Sequence, residues 1–64
     1  MKSKFAELYD EYQKLIERYV HYKVSNHADA EDILQDVAMA AYTNFDKLSD
    51  ITNFKQWLIG IASN

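Results

Sequence analysis

Four carboxylates, Asp29, Glu31, Asp32 and Asp36, fall within eight residues of a 64-residue chain, and no Lys or Arg stands among them. Asp32 and Asp36 lie one helical turn apart, the spacing at which a carboxylate pair could share acid/base work. A chain this short builds no substrate pocket around such a pair, so the expectation is that this is not an enzyme. His21 and His27 are the only imidazoles, and with Asp29 nearby they raise the question of a metal. Their spacing matches no helix-borne ligand pattern, so no metal or other cofactor is assigned. Nucleophilic catalysis lacks its parts. There is no Cys, and Ser3, Ser25, Ser49 and Ser63 sit in cap or loop contexts away from either His. One glycine, Gly60, rules out a glycine-rich phosphate loop.

What remains for the acids is position. Three of them fall in the first turn of a helix, where the backbone dipole favours each by roughly 0.3–1 kcal/mol. Asp36 lies too far along for that account. A basic protein partner would explain the whole set.

The elements that must position these residues are helical. The stretch Asp29 to Asn44 reads as a helix with Asp29 as N-cap and Asp32 completing an approximate capping box. Ala30, Ile33, Leu34, Val37, Ala40, Ala41, Asn44 and Phe45 recur at the spacing of one face, leaving Glu31, Asp32, Gln35, Asp36, Met39 and Thr43 outside it. Before it, Ser3 caps a first helix over about residues 3 to 23, with Phe5, Leu8, Tyr9, Tyr12, Leu15, Ile16 and Tyr19 in register. Asp10 and Lys14 stand at a favourable ion-pair spacing on its outer side. Tyr9, Tyr12, Tyr19 and Tyr22 resemble a base-stacking platform, but the first three share the apolar stripe and are read as core. Val24 to Ala28 is the connection to an antiparallel second helix. Phe45 to Asn53 is a polar loop pinned by Phe45 and Leu48, after which Thr52 or Asn53 caps a third helix carrying Phe54, Trp57, Leu58 and Ile61 on one face.

The fold class expected is all-α: a three-helix domain, its first two helices antiparallel and the third packed across them after a polar loop. No Pro and a single Gly support it. No apolar segment approaches the roughly 18 residues of a membrane span, no secretory pattern opens the chain, and the absence of Cys fits a cytoplasmic location. The net charge of −3 argues against a simple electrostatic DNA-binding module.

DAEDILQDV, Tyr42, Phe45, the polar loop and FKQWLIGIASN together resemble region two of the extracytoplasmic-function sigma factors, bacterial RNA polymerase subunits, and LYDEYQKLI resembles the family's opening helix. The resemblance covers nearly the whole chain. It implies transcription initiation without enzymatic activity, with the outer face of the second helix docking on the clamp helices of the polymerase β′ subunit. Asp29, Glu31, Asp32, Gln35, Asp36 and Met39 would form that face. It also implies recognition and melting of the promoter minus ten element, with a base of the single-stranded non-template strand held around the loop before the third helix. Phe45, Lys47 and the loop to Asn53, then Phe54, Lys55, Gln56, Trp57, Ile59 and Asn64, are the residues it points to. Trp57 shares a face with Phe54 and Ile61 and is read first as a core anchor. An anti-sigma factor is a further partner the resemblance admits.

Members of the family commonly carry Arg near the positions of Gly60 and Ser63, and this chain does not. Its last helix is still in register at Asn64, so residues 1–64 read as a region-two domain cut before the end of its promoter-recognition helix. The expectation is stronger binding to polymerase than to duplex DNA, with single-strand binding needing residues beyond Asn64. The alternative is a non-enzymatic helical interaction or dimerisation module, in which the acids only solubilise one face and self-association completes a small core.

Overall fold

A computed structural model describes residues 3–63, and for Ser3 only the backbone. Ser3–Lys23 form α1, His27–Asn44 form α2 and Phe54–Ser63 form α3, with two short 3-10 turns, Phe45–Lys47 and Ile51–Asn53, between the last two. The three-helix, all-α expectation holds. Whether the Ser3 hydroxyl caps α1 lies outside the described residues, as does everything concerning Asn64.

Most of the α1 stripe packs as its spacing predicts, with Phe5 and Ile16 buried and Leu8, Tyr9, Tyr12 and Tyr19 half-buried against the core; Val20, outside the expected stripe, is buried as well, and Leu15 is half-buried away from the cluster. Tyr22 departs from that stripe and is 90% exposed. From α2 come Ala30, Leu34, Val37 and Ala41, and from α3 Phe54 and Leu58. Ala30 and Ala41 are fully buried; side chains this small at a contact let neighbouring helices approach closely. Phe54 sits where α1, the end of α2 and α3 converge. Its ring centroid lies 6.0 Å from each of Phe5, Tyr12 and Phe45 and 5.6 Å from Trp57. Phe5 adds contacts to Tyr9, Tyr42 and Phe45 at 5.4–5.6 Å. Large rings thus supply the core that few residues could otherwise fill.

Three local expectations are corrected. The N-cap of α2 is Asn26, not Asp29: its backbone is extended, its Oδ1 accepts from the Asp29 N–H at 3.0 Å, and its carbonyl accepts from Ala30 N–H at 3.0 Å. Asn caps as well as Asp, so a cap one turn earlier meets the same need and leaves Asp29 in the first turn. The connection accordingly shrinks to Val24–Asn26. Asp50 caps the 3-10 turn Ile51–Asn53 that leads into α3, accepting from Thr52 N–H at 3.1 Å and from the Thr52 hydroxyl at 2.7 Å. Those bonds hold the Asp50 carboxyl below its ordinary pKa, the hydroxyl contributing most and the amide next. Thr52 is the donor in this motif rather than a cap, and Asn53 closes the turn by donating its N–H to the Asp50 carbonyl. Finally, Asp10 and Lys14 form no ion pair; Lys4 pairs with Glu7 at 3.6 Å, and Gln13 bonds Glu17 at 3.2 Å.

Candidate interaction surface

Helical periodicity places the acids. With Ala30, Leu34, Val37 and Ala41 turned to the core, Asp32 and Met39 project from the opposite side of α2. Asp29 and Asp36 flank them towards α3, and Glu31 and Gln35 flank them towards α1. All six are exposed, Met39 at 64%. Among the described residues no lysine or arginine bridges Asp29, Glu31, Asp32 or Asp36; Glu31 alone has a bonded partner, His21, at 3.0 Å. The face is therefore a charged, outward ridge with one large apolar side chain at its centre. It offers three uncompensated carboxylates to a cationic surface.

The ridge is broader than the sequence indicated. Across the α1–α2 groove, Tyr9, Gln13 and Glu17 line the same depression as Glu31, Asp32, Gln35 and Ala38. Burial first and the Glu17 carboxylate second push the Tyr9 phenol above its ordinary pKa. Glu17 thus adds a fifth acid that no pattern within α2 could reveal. The only sequence signal was its place beside the α1 stripe.

On α3 and the segment before it, Phe45 and Trp57 are half-buried, with ring centroids 6.4 Å apart. Trp57 packs on Phe54, as the core reading expects, and keeps part of its surface accessible. Lys47, Asn53, Lys55 and Gln56 are exposed, and Ile59 is half-buried. The segment 45–57 carries two lysines and two aspartates, so it has no basic excess. Ser63 ties the far end of α3 to α1: its hydroxyl donates to the Ile59 carbonyl at 2.9 Å and lies 2.7 Å from the Tyr19 hydroxyl.

His21 and His27 are brought together, their rings stacked 5.1 Å apart, but the carboxylate that joins them is Glu31 and not Asp29. No described helix is long and apolar enough to cross a membrane.

Compared with known proteins, residues 8–64 match the family described as Sigma-70 region 2. The chain is 33% identical over 61 residues to the ECF RNA polymerase sigma factor BldN of Streptomyces coelicolor, an alignment covering 94% of this chain and 23% of that protein. It is 35% identical over 60 residues to the ECF RNA polymerase sigma factor SigW of Bacillus subtilis, covering 94% of this chain and 32% of that one. The chain thus spans about a quarter to a third of the length of these relatives. No solved structure gives a significant match.

Proposed function

The chain belongs to the Sigma-70 region 2 family, and on that premise we propose that it acts in bacterial transcription initiation as a non-enzymatic, cytoplasmic polymerase-binding domain. Its partner on this reading is the β′ clamp-helix surface of core RNA polymerase, engaged by Asp29, Glu31, Asp32, Gln35, Asp36 and Met39. One observation supports it: an exposed acidic ridge with no lysine or arginine partner among the described residues, on the helix whose motif resembles the family's docking helix. Exposed carboxylates without a cationic partner suit a cationic surface, which they would steer towards and orient. The loop and the start of α3 take the second task, contact with the minus ten element. Phe45 and Trp57 supply ring surface beside exposed Lys47, Asn53, Lys55 and Gln56, a combination suited to an unpaired base and its phosphates.

Substituting Asp32→Lys and Asp36→Lys together tests the docking claim. Both side chains are exposed, so helicity by circular dichroism stays unchanged while binding to a β′ clamp-helix fragment is lost. Unchanged binding in a folded double variant overturns it.

A further inference from the structure

We propose that His21, His27 and Glu31 form a site for a divalent transition-metal ion of the zinc class, joining the end of α1 to the start of α2. The geometry begins with the sequence. His27 and Glu31 are four residues apart on α2 and therefore project from one side of the helix, a spacing at which two ligands can share an ion. The three-residue connection Val24–Asn26 folds α1 back so that His21 meets them from across the gap. One ligand atom from each of the three residues lies within 4.8 Å of the other two, and His21 Nε2 is already 3.0 Å from Glu31 Oε2.

Ligands held tetrahedrally at about 2.0–2.1 Å from zinc stand about 3.3 Å apart. The His21–Glu31 pair, hydrogen-bonded at 3.0 Å, would open slightly to admit an ion, and His27 must close the rest. It is exposed and stacked on the His21 ring, so reaching the ion means leaving that stack for another staggered conformation. Two imidazoles with one carboxylate select zinc, copper or nickel over magnesium and calcium, which prefer all-oxygen shells. Three protein ligands leave a further position to water, as in open zinc sites. Lys14 and Arg18 line the surface beside His21 and oppose a cation, while Glu17 on the same surface and Asp29 in the first turn of α2 offset them. The site shares Glu31 with the proposed docking face, but its test requires neither polymerase nor DNA, so its failure and the failure of that reading are distinguishable.

The test titrates the chain with Zn2+ in a non-coordinating buffer against an EDTA control, following melting by circular dichroism and heat by calorimetry. The expected result is a melting temperature that climbs with Zn2+ and not with Mg2+, since an ion bound only by the folded hairpin stabilises it by mass action. His21→Ala and His27→Ala should each weaken binding by at least the about 10–100-fold that loss of a mere supporting partner costs a metal site. Co2+ should develop visible d–d absorption that either substitution removes. Because His27 is exposed, His27→Ala retains the wild-type helical spectrum, which keeps the comparison valid even if His21→Ala disturbs α1. Zn2+ binding that survives His27→Ala in the folded variant, or a melting temperature indifferent to Zn2+, overturns the proposal.

Discussion

Phe54 is 1% exposed and touches rings from α1, from the turn after α2 and from α3 itself, so its removal empties the point where the helices converge. Phe54→Ala should cost about 3–5 kcal/mol. Stability of about 0.05–0.15 kcal/mol per residue gives a 64-residue chain about 3–10 kcal/mol in all, so the variant should lose a third or more of it and melt far below the parent. A sharp transition near the parent temperature would show that Phe54 is not the keystone. Gly60 gives the opposite case. It lies exposed within α3, and an added methyl would meet nothing within 4 Å. Gly60→Ala should therefore stabilise the chain by up to about 1 kcal/mol, read as a higher urea midpoint with unchanged slope. Asp50 supplies a pH dependence. Its folded pKa is depressed, so its contribution is present above the ordinary carboxylate range and is lost as pH falls through the folded value. The difference in melting temperature between parent and Asp50→Ala should thus be constant near neutrality and shrink below that range; persistence into strong acid would assign the difference to something other than ionised Asp50.

At the scale of the element, α2 shows what one chain of letters could and could not convey. Its apolar period and outward acids were legible, because a helix fixes which residues share a side regardless of its neighbours. Its first residue was not. Asn26 and Asp29 are both competent caps, and the choice depends on where the chain arriving from α1 turns extended, which is a tertiary matter. Asn26→Ala should cost about 0.5–2 kcal/mol of unfolding free energy, and Asp29→Ala clearly less, since the capping oxygen belongs to Asn26. Equal losses in denaturant titrations would return the cap to Asp29. The contact of His21 with Glu31 and the proximity of Glu17 to the ridge were illegible for the same reason: both arise only once α1 lies against α2. Likewise, the polar segment before α3 is turn-rich as its composition indicates, but the role of Asp50 is visible only in the fold, where it caps the 3-10 turn that runs straight into the helix.

For the whole molecule the decisive quantity is where charge sits. Acids outnumber Lys and Arg by ten to seven, and four of the ten lie on one side of α2. A net charge of −3 repels duplex DNA at long range, whereas the ridge attracts a basic protein surface locally, so the proposed partners should respond differently to the same change. Replacing Asp32 and Asp36 with Lys adds four charge units and takes the chain from −3 to +1. Replacing Glu7 and Glu11 with Lys makes the identical net change on the exposed side of α1. Long-range attraction to the clamp helices should weaken equally in the two variants, but contact should fail only in the first. Affinity of the parent should also fall with salt, as the Debye length contracts from about 10 Å at 0.1 M to about 3 Å at 1 M. The expected outcome is therefore loss of clamp-helix binding in Asp32→Lys/Asp36→Lys, a modest and salt-erasable decrease in Glu7→Lys/Glu11→Lys, and a gain of unspecific duplex binding in both. Equal loss of clamp-helix binding in the two variants would mean that total charge, and not the α2 ridge, governs association.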